Sequence, residues 1–216
     1  MTTQLAPTHV DFDHVVWLCG GMLSISTAYR RALMPPRAVL AKVYAAGLAV
    51  NLPILAVLLT PLTRSRVGSE VTMGIGVAVL LVLVVTAVVF APEVSARVAP
   101  AAGQWQFGSA RSRTRALMRQ DRRAYWLRLA EFIALYVAAQ GVGGAIAWMW
   151  PHIWRNPEFE HNPAAEPWEF DYPNFAIQAI GIYAVVCLAL TWYACRLRQL
   201  ALAQRTAADE QVLNPA

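Results

Sequence analysis

Residues 71–91 read VTMGIGVAVLLVLVVTAVVFA, twenty-one positions without an ionisable side chain. At about 1.5 Å per residue such a run crosses a hydrocarbon core of roughly 30 Å. Three further runs have the same character. Val43–Leu62 carries only the Tyr44 phenol, Trp126–Trp150 only Arg128 and Glu131 near its start and the Tyr136 phenol, and Phe175–Cys195 no acid or base beyond its tyrosines and cysteines. The composition agrees. In 216 residues, 57% are hydrophobic and 14% charged, with mean hydropathy +0.42, whereas soluble domains carry about 25% charged residues. The sequence predicts an all-α, polytopic transmembrane bundle of four helices in one membrane domain spanning residues 1–216.

The charges outside these runs orient the bundle. Of the eighteen Lys and Arg residues, only Arg64, Arg66 and Arg155 lie on one side. The other side takes Arg30, Arg31, Arg37 and Lys42 from the 1–42 segment. It also takes Arg97, Arg111, Arg113, Arg115, Arg119, Arg122 and Arg123 from the 92–125 loop, Arg128 just inside the third span, and Arg196, Arg198 and Arg205 from the 196–216 tail. By the positive-inside rule this second side is cytoplasmic, which predicts a multi-pass protein of a bacterial-type inner (plasma) membrane with both termini inside. Trp126, Trp148, Trp150, Trp192 and Tyr193 mark span ends and suit the interfacial belts.

Val15–Ala28 is apolar but only fourteen residues long, the length of an interfacial or re-entrant helix, with a tilted fifth span as the alternative. It lacks the basic leader and small-residue cleavage site of a signal peptide. Cys19, Cys187 and Cys195 are odd in number and absent from the outer loops, so no disulfide framework is expected.

The two long loops contrast. In the 92–125 loop, Pro92, Pro100, Gly103 and Gly108 predict an irregular first half. From about Ser109, a possible N-cap, the pattern predicts one basic helix running into the third span. Its arginines, Arg111, Arg113, Arg115, Arg119, Arg122 and Arg123, are expected at anionic lipid headgroups or an acidic partner; nucleic acid is not expected. The 151–174 loop holds Glu158, Glu160, Glu166, Glu169 and Asp171 against Arg155, with five prolines that forbid regular helix or central strand over most of it. Trp154, Trp168, Phe170 and Tyr172 are too many rings for a free linker and predict a cap folded over the helix ends or against a neighbouring subunit. His152 and His161, nine apart with Pro157 between them, match no metal-ligand spacing; neither a metal nor a cofactor is expected.

Polar residues within the spans are few: Asn51 two positions before Pro53, Glu131 with Arg128 one turn earlier, Gln140 and Gln178. Pro53 cannot donate to the carbonyl of Ala49, so a kink is expected there. A small-residue ridge, Ala139, Gly143 and Ala147 with Gly141 and Gly144 alongside, predicts close approach of another helix. The second span, nearly free of polar atoms, is expected to face lipid or an apolar partner. Three function classes follow. The first is an accessory or structural subunit of a larger membrane complex, with other membrane subunits and the bilayer as partners. The second is a small transporter or channel component using Asn51, Glu131 and Gln140. The third is a membrane-embedded enzyme, which lacks the clustered His, Asp or Cys it would need.

Overall fold

A computed structural model describes residues 34–213 except 102 and 104, with side chains to residue 204. The short helix expected over Val15–Ala28 lies outside the described residues.

Six helices and one small hairpin make up the rest: α1 (Arg37–Val50), α2 (Leu52–Leu58), α3 (Glu70–Val98), α4 (Ala110–Gln120), α5 (Arg122–Met149), β1 (Ile153–Arg155), β2 (Trp168–Phe170) and α6 (Tyr172–Leu213). Three of these, α3, α5 and residues 172–204 of α6, are long and apolar enough to cross a membrane. The count is four if α1 and α2, bent by 56° at Asn51, form one broken span. α1 and the 3₁₀ turn Pro61–Thr63 that follows α2 pack near opposite ends of α3: Val43 packs with Ala99 beyond the α3 C-terminus, and Thr63 lies against Gly76 near its N-terminus.

The expected 43–62 span is therefore two helices, and the break falls at Asn51, between Ala49 and Pro53, where the proline predicts a kink. Side-chain donors supplement the backbone bonds around the break. Asn51 N and Nδ2 both donate to Gly47 O, at 3.0 and 2.9 Å. Tyr183 Oη donates to Leu48 O from α6. Proline at the second position of α2 needs no donor there, so the new helix starts without loss.

α6 is the axis of the bundle. Phe175, Ala179, Ile182, Val186, Leu190, Tyr193 and Leu197 recur at three- and four-residue spacing and are all buried. Over half of its apolar window (56%) is covered by protein, against 11% for α3 and 17% for α5. The apolar α3 indeed presents Val71, Ile75, Leu81, Val82 and Val85 on its exposed face. Asp171 caps α6, accepting from Asn174 N at 3.0 Å, and Ser69 caps α3, accepting from Thr72 N at 3.2 Å.

The arginine-rich end departs most from expectation. α3 does not stop at Pro92 but continues to Val98, with Pro92 itself buried. A membrane helix tolerates proline when neighbours cover the freed carbonyl. The basic segment is two helices, because Asp121 leaves helical geometry and caps α5 by accepting from Ala124 N at 3.0 Å. Ser109 makes no capping bond; its hydroxyl donates to Gln106 O at 3.0 Å. The cap is Glu93 of α3, whose carboxylate accepts from Gly108 N at 2.7 Å and Arg111 N at 2.9 Å. A carboxylate at a helix N-terminus satisfies orphan donors and opposes the helix dipole. Gly108 reaches it with φ of +84°, a conformation side chains disfavour. Trp105 is fully buried beneath, its Nε1 donating to Ser95 Oγ at 2.9 Å. At the other margin α6 continues as helix through the expected 196–216 tail to Leu213.

The acidic loop is partly regular. Ile153–Arg155 pairs antiparallel with Trp168–Phe170, so the fold is all-α apart from this two-stranded hairpin. A short 3₁₀ turn, Pro157–Glu160, lies in the connection. The strands fall between the prolines, the one place where a ladder remains open to them.

Candidate functional site

α5 carries two faces of opposite fate. Phe132, Ala139 and Gly143 point inward and are buried against α6. A Cβ on Gly143 would sit 2.3 Å from Ile182 Cδ1, and the Gly143 carbonyl accepts from Gln178 Nε2 at 3.0 Å. Phe132 and Tyr193 bring their rings to 5.8 Å in the same seam. The expected ridge is thus engaged at Ala139 and Gly143, while Ala147 is half-buried.

The opposite face is uncovered. Ile133, Val137, Gln140, Gly144 and Trp148 recur at three- and four-residue steps and are all exposed, with Gly141 beside them. Gly141 and Gly144 have nothing within 4 Å of where a Cβ would stand. Gln140 lies about 15 Å along the helix from Trp150 and about 21 Å from Trp126, so it sits at mid-depth of the span. A polar amide, two open glycines and a strip of apolar side chains share one outward surface.

The remaining polar positions do not line a common path with it. Asn51 is occupied at the α1–α2 break, and Gln178 is buried in the α5–α6 seam. Glu131 lies near the arginine-rich end, where it pairs with Arg128, as the i, i+3 spacing predicts, and also with Arg196 of α6 at 3.4 Å. Trp192 Nε1 adds a bond to the same carboxylate at 3.3 Å. Sequence reading missed Arg196 and Trp192 because both come from another helix. Two arginines on one carboxylate leave it a tether between α5 and α6.

On the arginine-rich end, Arg113, Arg115, Arg119, Arg122 and Arg123 are exposed. Arg111 is half-buried, with its guanidinium 4.7 Å from the centre of the Phe90 ring.

The opposite end is closed by rings. His152, Phe170, Tyr172 and Phe175 form one cluster with centroid separations of 5.3–6.5 Å. Arg64 lies over Phe175 at 5.3 Å and Arg66 over Trp168 at 5.6 Å. Tyr172 Oη donates to Leu59 O at 3.3 Å, and Trp154 Nε1 to Glu169 Oε2 at 2.6 Å. The cap therefore folds across the helix ends, with Trp154 and Trp168 on its outer surface. Among the described residues no group of three His, Cys, Asp or Glu side chains comes together as a metal site.

His152 gives this cap a pH dependence. Burial, then the nearby Arg64 charge, lower its pKa from the ordinary 6.5, and Asp171 opposes them only in part. A folded-state pKa below the unfolded value favours neutral His152 in the fold. Its contribution to stability is complete above pH 6.5 and is lost as pH falls from there through the folded value. Thermal unfolding of the chain in detergent should show a lower midpoint at pH 5 than at pH 7.5. His152→Phe should shrink that difference, and an undiminished difference would assign it to other groups.

Comparison with family profiles, curated proteins and solved structures finds no match for this chain. The functional reading therefore rests on the geometry alone.

Proposed function

We propose that this chain is a structural subunit of a larger membrane-protein assembly, with no catalytic step of its own, and that the outward face of α5 is where it docks. The observation that carries this is Gln140, exposed at mid-span beside Gly141 and Gly144. An amide facing hydrocarbon lacks partners for two donors and an acceptor. Small residues beside it let a second helix come close enough to supply them. A helix facing only lipid gains nothing from that arrangement. The uncovered apolar surface of α3 offers a second flank, and the exposed rings of Trp154 and Trp168 an adhesive outer rim. On this reading the arginine-rich end faces the cytoplasm and anionic headgroups, each exposed arginine contributing about 1 kcal/mol there.

Extraction in a mild detergent should yield the chain in a particle larger than itself, by native mass spectrometry. Recovery as a stable lone monomer from a native membrane would overturn the proposal. Gln140→Leu gives a test of sign. If Gln140 meets a partner, the variant weakens association by about 0.6–2 kcal/mol, the range for interhelical hydrogen bonds. If it faces lipid, the variant leaves association unchanged and stabilises the isolated chain.

A further inference from the structure

At the α1–α2 break the helices part and leave a cavity of about 200 Å³, walled by α1, α2, α3 and α6. Its walls are aliphatic and aromatic apart from Asn51, Thr86 and Thr191, and no charged side chain lines it. Thr191 is 2% exposed, and its Oγ1 is buried without a hydrogen-bond partner. A threonine inside a helix ordinarily returns its hydroxyl to the carbonyl one turn earlier; here that bond is not made. The same oxygen lies 3.5 Å from where a Cβ on Gly47 would stand, so the glycine keeps the wall beside it thin. Val50 and Phe90, at the cavity's margin, are 56% and 45% exposed, so it communicates sideways with the lipid phase.

We propose that this cavity is a binding site for a neutral, lipid-soluble molecule with a ring-sized head and an oxygen that accepts from the Thr191 hydroxyl. Size sets the first limit. A dry cavity of about 150 Å³ holds one benzene ring, so this one admits a ring with modest substituents. Charge sets the second, because an ion or zwitterion would find no counter-charge in the walls. The buried, unpaired donor sets the third, since a plain acyl chain would leave it unanswered. The site is independent of the docking face on α5, which lies on another helix.

The test uses 1-naphthol and naphthalene as a matched pair of probes on the full chain in phosphatidylcholine nanodiscs, with empty nanodiscs subtracted. The wild-type chain should bind 1-naphthol saturably, and naphthalene about five- to tenfold more weakly, the value of one hydrogen bond. Thr191→Val, which keeps the shape and removes the donor, should bring 1-naphthol down to the naphthalene affinity. Ala87→Leu, which fills the cavity, should abolish binding of both. Equal wild-type affinity for the two probes would make the cavity an acyl-chain groove and overturn the proposal, as would the absence of a saturable component. The wild-type probe comparison needs no variant to fold.

Discussion

Gly143→Leu will separate α5 from α6, whereas Gly144→Leu, one residue along, will leave the chain folded and, if α5 docks as proposed, release it from its partner. The two glycines are adjacent in sequence and about 100° apart around the helix. At position 143 a side chain enters a seam already filled by Ile182, which is itself 3% exposed and cannot swing away freely. The helices must move apart, the bond from Gln178 Nε2 to the Gly143 carbonyl is lost, and overpacking of this kind costs about 1–3 kcal/mol before that bond is counted. At position 144 a side chain meets nothing in the isolated chain. Its intrinsic effect is a gain in helix propensity of up to about 0.8 kcal/mol. On the proposed docking at α5, the same side chain would hold a partner helix off the Gln140 face, and association should fall at least tenfold. Unfolding of the purified chain and particle mass after mild extraction read the two effects separately. An intact assembly with Gly144→Leu would remove α5 as the docking surface. Equal destabilisation by both substitutions would mean that the two faces are not distinct.

This contrast also marks what the sequence could and could not disclose. The apolar runs made the long helices legible, because hydrocarbon demands length and lack of charge whatever the neighbours are. The small-residue ridge was legible as a contact stripe. Its division into an inward half, Ala139 and Gly143, and an outward half, Gly141 and Gly144, depends on how α5 is rotated against α6, which no local pattern encodes. The Asn51–Pro53 pair announced the break in the first span. Proline fixes where a donor is missing; that Tyr183 of α6 answers the Leu48 carbonyl there depends on how the helices pack. The hairpin of the outer cap was hidden because its strands are only three residues each, wedged between prolines that argue against any strand.

At the arginine-rich end the basic helix from about Ser109 was legible, but its capping and packing were not, for a related reason. Glu93 and Trp105 sit in a stretch whose prolines and glycines spell a loop, and their partners lie ten to eighteen residues away. A long-range cap leaves no capping signature at the helix it serves. Thr191 was likewise invisible, since whether its hydroxyl finds a partner depends on the helices packed around it.

Trp105→Ala should therefore have the largest effect on stability of any substitution at that end, about 3–5 kcal/mol by the usual cost of emptying a buried tryptophan site. The ring is fully buried among residues of α3, α4 and α6, with Ala96, Ala110 and Leu197 in the same cluster. Its loss also leaves Ser95 Oγ without the indole donor. The consequence is specific in space. α4 is held by the Glu93 cap above and the Trp105 plug below, so emptying the site frees a helix whose exposed arginines are trypsin sites. Brief trypsin treatment of the chain in detergent should cut Trp105→Ala within 113–119 at least tenfold faster than the wild type, while α5 and α6 stay protected. Trp105→Phe keeps most of the volume and loses only the indole donor, so it should fall near the wild type, about 1 kcal/mol less stable. Glu93→Gln removes the capping charge but not the plug and should give an intermediate rate. If α4 remains as resistant in Trp105→Ala as in the wild type, the plug is not what docks it, and the Glu93 carboxylate must hold the helix on its own.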